Sequence, residues 1–422
     1  MMRTRKPYLL FVLAGAIIAG CSATKFQATW FEPPPDIDTE TKTIEFQDKR
    51  SYSFNNGEIS IDNLFDGARM NSCEQVDNTT FLISIAPENS PINPSPWYAF
   101  RIITNRYQYL TILLDYGDVK HRYHPKRSSD AKQWEEIPVD KVILNEDSTT
   151  VFINFSITSD TTWIAGQEII DSKRVFSWCR SLERKESVRL NEIGKSKLNN
   201  PIYMMDTNVD GAEDKPIVVI LSRQHPPEVT GYFAMKAFVE TILEPTRLSK
   251  QFLEEFRVLV FPLMNPDGVD LGHWRHNAGG VDLNRDWGTY HQPETRQVAD
   301  VIVVESKKNK APVLLGLDFH STFFDVYYTK KVDPTTLVLS DFKDRWLEAI
   351  ENRIPDYSVN EQSSEVNAAV FSNNWFHKQF NAIGITYEIG DATPRDFIQT
   401  KGSVSATAMM ELLLEYKRKG FY

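Results

Sequence analysis

Residues 216–243 read PIVVIL, SRQHPPEVTG and YFAMKAFVETIL. The first run is continuous aliphatic sequence, the pattern of a strand buried on both faces, and the last is amphipathic and predicts a helix over 230–243. Between them, His225 and Glu228 stand three residues apart where strand gives way to helix, the edge at which α/β sheets place their ligands. Pro226 and Pro227 forbid regular helix there and stiffen the segment. Strand, loop and helix in this order predict a sheet covered by helices.

The same texture continues downstream. Apolar strands RVLVFPLM, PVLLGLDF and AIGITYEI alternate with helical stretches at 293–307, 337–352 and 404–417. This predicts an α/β domain over 181–422, with a mixed, largely parallel sheet flanked by helices. Upstream, short β-like runs (TIEF, SYSF, TFLISIA, WYAFRII, YLTILLDY, KVILN, TVFINFSI) are separated by turn residues with no long helical pattern among them. They predict an all-β, antiparallel sandwich over 41–180. A chain of 422 residues is long enough for two such domains.

The N-terminus has another character. A basic head, MMRTRKP, precedes the apolar run YLLFVLAGAIIAG, which has the length of a signal-peptide core and is short for a bilayer span. It ends IIAGC, similar to a bacterial lipobox. Residues 1–20 are therefore expected to be a lipoprotein signal peptide, with Cys21 lipidated after cleavage. Ser22 after the cysteine resembles the sorting pattern of the outer membrane. Residues 21–40, polar and Pro-rich, read as a tether. These features predict a lipid-anchored protein of the bacterial cell envelope, on the periplasmic face of the outer membrane. A net charge of −10 argues against a nucleic-acid partner, which needs clustered Lys and Arg. Cys73 and Cys179 lie in no metal-type CxxC, and the sequence leaves their pairing open.

An HxxE pair alone says little among eight histidines, and His291 with Glu294 in HQPE repeats the spacing. That second pair flanks a helix start, where Glu294 serves as a first-turn acid. A hydrolytic metal needs about three protein ligands, and His320, closing the apolar run of LLGLDFHST, supplies a third at another strand end. Segment 261–287, FPLMNPDGVDLGHWRHNAGGVDLNRDW, adds Arg275 and the pair Asn284-Arg285. Arginine forks bind carboxylates and stabilise developing oxyanions. His121 and His124 in HRYHP have near-ligand spacing but no completing acid, and read as surface loop residues.

HPPE, NPDGV…R…DLNR.W, DFHS and TYEIGD, in this order, resemble the M14-type zinc metallocarboxypeptidases, over roughly 185–420. The subgroup that includes cytosolic carboxypeptidases is most similar, and its preceding sandwich resembles PSPWYAFRI and HRYHPKRSSDAKQW here. The resemblance implies one Zn²⁺ per chain on His225, Glu228 and His320, with Asp282 orienting the first histidine. It implies that Arg275 polarises the scissile carbonyl, that Asn284 and Arg285 hold the terminal carboxylate of a peptide substrate, and that Glu388 is the general base. Digestive-type members carry a mobile tyrosine somewhat over twenty residues before the base; the window EVNAAVFSNNWFHKQFNA has none. Two alternatives stand beside this reading: a zinc amidase or deacylase acting on N-acyl amino acids or cell-wall peptides, and a non-catalytic binding protein.

Overall fold

The computed structural model describes residues 28–421 other than 159, 185, 187, 212–213, 332–338 and 367–369. The expected signal peptide and Cys21 lie outside the described residues. Among the described residues no helix is long and apolar enough to cross a membrane.

Two sheets form the N-terminal part. The six-stranded sheet runs in the order Ser51–Phe54, Ile59–Asp62, Ala99–Thr104, Asp160–Ala165, Lys126–Ser128, Glu135–Glu136. The five-stranded one runs Ser72–Gln75, Thr80–Ser84, Gln108–Asp115, Thr150–Ile157, Val142–Leu144. Alternation does the sorting: in Thr150–Ile157 the buried side chains are Val151, Ile153, Phe155 and Ile157. They meet Ile59, Ile61, Phe100, Ile102 and Ile164 of the facing sheet in one core. One pair departs from the antiparallel expectation, because Thr80–Ser84 runs parallel to Gln108–Asp115. Between those two strands the chain visits the opposite sheet as Ala99–Thr104, so it re-enters from the same end.

The C-terminal part is an eight-stranded mixed sheet. Its order is Arg189–Lys195, Pro201–Asp206, Arg257–Phe261, Ile217–Ser222, Val313–Thr322, Ile383–Gly390, Val326–Lys331, Glu361–Glu365. The four central strands are mutually parallel. Ile217–Ser222 is buried throughout because both faces are covered: Val218 and Ile220 belong to one helix-side core, Ile217, Val219 and Leu221 to the other. Each such side chain contributes about 1.5–3 kcal/mol on burial. Helices Val229–Ile242 and Arg395–Arg418 supply Met235, Phe238, Met409 and Leu413 to the first core, and Pro293–Lys308 and Ser372–Phe380 supply Val298, Ile302, Trp375 and Phe376 to the second.

Two sequence expectations meet a different structure. Position 180 falls inside a helix, Ser172–Glu183, whose Val175, Trp178, Cys179 and Leu182 pack in the α/β core. The polar stretch after it contains the edge strand Arg189–Lys195. The expected tether is also fixed from residue 28 onward. Phe31 N donates to Gly288 O at 3.0 Å, and Thr39 O accepts from Gln292 Nε2 at 2.8 Å. Tyr290 Oη donates to Thr29 O at 2.7 Å, and Ala28 is buried in the second core. Its anchors are single residues without period, so no hydrophobic pattern announces them. Cys73 and Cys179 are unpaired and lie in separate cores, where burial pushes both thiols up to about 12.

Candidate metal centre and its surroundings

Three chain segments meet at the carboxyl edge of the central strands. Glu228 is the N-cap residue of helix Val229–Ile242, His225 sits just after strand Ile217–Ser222, and His320 lies near the end of Val313–Thr322. His225 Nδ1 is 2.8 Å from Glu228 Oε1, and His320 Nδ1 is 2.7 Å from Glu228 Oε2. One ligand atom from each residue falls within 4.8 Å of the others, and all three residues are buried.

The far side of each ring is held by a second carboxylate. His225 Nε2 is 2.8 Å from Asp282 Oδ1, and His320 Nε2 is 2.8 Å from Asp318 Oδ2. A carboxylate behind Nε2 fixes that nitrogen as the donor and leaves the Nδ1 lone pair for a cation. Burial pushes Glu228 up, but the charges of His225 and His320 outweigh it and hold the carboxyl far below its usual range. Burial likewise opposes charge on His320, and Asp318 and Glu228 override it, raising the imidazole well above its ordinary value. Two imidazoles converging on one buried carboxylate form a donor set that a dication satisfies by replacing protons. The residues therefore fit zinc.

Glu388 lies on Ile383–Gly390, directly opposite His320 in the parallel register. Its Oε2 is buried and has no hydrogen-bond partner. Burial pushes its carboxyl up to about 8; Glu228 adds to this, and His320 and Arg275 pull against it. Arg275 Nε donates to Asp282 Oδ2 at 2.7 Å, so one carboxylate carries both a triad histidine and this arginine. Arg285 stacks its guanidinium 4.4 Å above Phe371 and lies 3.6 Å from Asp282 Oδ2. Asn284 accepts from Ser372 N at 2.9 Å, and its Nδ2 lies 3.4 Å from His320 Nε2. Asp282, Asn284 and Glu388 thus adjoin the two histidines, and Arg275 and Arg285 reach them through Asp282.

Two residues escaped the sequence reading. Asp318 sits two places before His320 on the same strand, hence on the same face, and also accepts from Gln224 Nε2 at 2.5 Å and from Ser372 Oγ. That alternation was a usable signal. Tyr328 gave none: its strand pairs antiparallel with the one bearing Glu388, and burial, then the charge of Glu388, push its hydroxyl up.

The decoys separate cleanly. His291 Nδ1 bonds Thr39 Oγ1 at 3.0 Å, whereas Glu294 turns inward to accept from Lys197 N at 2.9 Å and Asn277 Nδ2 at 3.0 Å. His121 and His124 are half-buried rather than surface residues, bonded to Tyr116 Oη at 3.0 Å and Ile137 O at 2.6 Å. They hold the sandwich loop in place because Tyr98 and Tyr116 pack around His121.

Gly231 makes the close approach between helix and strand possible. A Cβ there would sit 2.3 Å from His320 O. Gly231→Ala is expected to cost about 1–3 kcal/mol of stability through overpacking and to weaken zinc binding by displacing His320. Thermal denaturation and a zinc titration check this; unchanged zinc affinity would show that the strand end yields without moving the ring.

Residues 175–409 match the family model described as zinc carboxypeptidase, more than half of the chain. A metallo-carboxypeptidase from Burkholderia cenocepacia superposes with a TM-score of 0.70 at 18% identity, covering 86% of this chain and 99% of that one. A metallo-carboxypeptidase from Pseudomonas aeruginosa gives 0.68 at 17%, covering 84% and 99%. Cytosolic carboxypeptidase 2 of Xenopus tropicalis is 29% identical over 143 residues, which is 31% of this chain and 14% of that protein.

Proposed function

Since the chain belongs to the zinc carboxypeptidase family, we propose that it removes the C-terminal residue of peptides by zinc-dependent hydrolysis, with His225, Glu228 and His320 holding the metal. The observation that carries this is the convergence of two Nδ1 atoms on Glu228 with Glu388 in register beside His320. Zinc bound there supplies Lewis acidity and lowers the pKa of water to about 7.

The chain's own groups do the rest. Glu388, with one oxygen free of partners, takes a proton from the attacking water and returns it to the leaving amine. Arg275, held by Asp282, faces the carbonyl oxygen as it gains charge. Asn284 and Arg285 bind the terminal carboxylate, which restricts cleavage to a chain end. Asp282 and Asp318 keep the imidazoles oriented. Cys21 carries a lipid that holds the enzyme at the periplasmic face of the bacterial outer membrane, a reading that rests on the basic head, apolar run and IIAGC of the leader; partition of the mature protein into detergent tests it.

The test of function is a set of matched peptides with free and amidated C-termini, assayed with and without a chelator. Release from the free acids only, abolished by chelation and restored by zinc, is the expected result. Release from N-acyl amino acids but not from peptides would convert the assignment to a deacylase. Zinc-free, inactive protein would leave a binding role.

A further inference from the structure

Glu88 belongs to the β-sandwich, in the loop after Thr80–Ser84, and is fully buried. Its carboxylate faces three consecutive backbone amides of the α/β part. Oε2 accepts from Trp274 N at 2.8 Å; Oε1 accepts from Arg275 N at 3.0 Å and from His276 N at 2.6 Å. The flanking side chains are held by the same loop. Trp274 is buried within the sandwich core and donates Nε1 to Trp97 O at 3.1 Å. His276 Nδ1 lies 2.7 Å from Asn89 Oδ1, and Asn89 Nδ2 donates to Gly280 O at 3.1 Å. Arg275 alone turns the other way, toward Asp282.

We propose that Glu88 is a positioning residue for Arg275: the sandwich fixes the backbone from which that guanidinium reaches the reacting carbonyl. The inference rests on the carboxypeptidase reading and gives the sandwich a role in the chemical step. A carboxylate is needed because three N–H donors converge on it, and an acceptor-only group meets them all. A glutamine would turn its own NH₂ onto one of these donors and leave a buried amide unsatisfied. The backbone under Arg275 would then shift. A displacement of about 1 Å at a catalytic group costs on the order of 100-fold in rate.

The experiment is a double-mutant cycle on the full mature chain: wild type, Glu88→Gln, Arg275→Ala and the double variant, each with kcat, KM and zinc content measured. The expected result is a kcat about 10- to 100-fold lower in Glu88→Gln, with KM and bound zinc unchanged. In the Arg275→Ala background the same substitution should have almost no effect, because the two residues act as one unit. Equal losses in both backgrounds, or a wild-type kcat in Glu88→Gln, would overturn the proposal. If Glu88→Gln does not fold, Glu88→Asp, which keeps the charge but withdraws it, enters the same cycle with the same criteria. A zinc-loaded wild type that releases no residue from any peptide would instead reject the carboxypeptidase reading itself, and this proposal with it.

Discussion

Glu388→Gln retains its zinc and loses hydrolysis, with kcat/KM down about 10²- to 10⁴-fold, the usual contribution of a general base. The substitution keeps shape and removes only the ability to take a proton. Glu388 is outside the triad, so metal content should equal that of wild type. It has a partner-free buried oxygen beside His320, which is where a proton acceptor must stand. The pH profile gives a second reading. Burial drives the carboxyl from 4.5 up to about 8, and a dication next to it pulls it back down. Activity needs the ionised form, so the acid limb of kcat/KM falls between those two values and is absent from the glutamine variant. Stability moves in the opposite sense. A carboxyl raised in the folded state binds more protons there than when unfolded, so it lowers stability as pH rises through that interval. Metal-free Glu388→Gln is therefore expected to melt no lower than metal-free wild type above pH 8. A variant that kept more than about a tenth of wild-type activity, set against that general-base contribution, would move the role to another group.

The parts of this site that sequence could show are those written in local pattern. PIVVIL followed by an amphipathic run gave the central strand and its helix, observed as Ile217–Ser222 and Val229–Ile242. His225, Glu228 and His320 stood out because each closes or follows a buried strand. Glu388 had no such mark beyond its strand end, and only family resemblance singled it out. What stayed hidden depends on contacts between distant segments. Glu88 lies 187 residues from Arg275 in sequence, in a stretch, APENSP, that composition reads as loop. Phe31 and Thr39 bind the loop 279–292 through isolated hydrogen bonds, and a polar, Pro-rich stretch with sparse anchors looks the same in sequence whether it is fixed or free. Helix Ser172–Glu183 follows a run of strands, and Asp171 caps it by accepting from Arg174 N at 2.8 Å. Its apolar residues Val175, Trp178, Cys179 and Leu182 stand at helical spacing, so the helix itself is legible, whereas their joining the α/β core is a tertiary fact.

Glu228→Gln should abolish the zinc-dependent part of the protein's stability together with its activity. Glu228 is the one anion of the triad and lies 2.8 and 2.7 Å from the two Nδ1 atoms. Glutamine would offer one oxygen and turn an NH₂ group onto the other imidazole, leaving two neutral rings and an amide to hold a dication. In wild type, zinc at about a thousandfold excess over its Kd adds roughly 4 kcal/mol to the folded state, which a thermal melt reads directly. The variant should show almost none of that increment at the same zinc concentration. Asp282→Asn and Asp318→Asn make the internal standard. Each keeps all three ligands but loosens one ring, and loss of such an outer partner weakens metal binding about 10- to 100-fold. The expected order of zinc affinity is wild type, then the two asparagine variants, then Glu228→Gln last. Binding should also strengthen as pH rises, since the ligands must shed protons to receive the metal. If Glu228→Gln held zinc as tightly as the asparagine variants, Glu228 would be orienting the histidines rather than ligating, and the metal would have to sit on a different set of atoms.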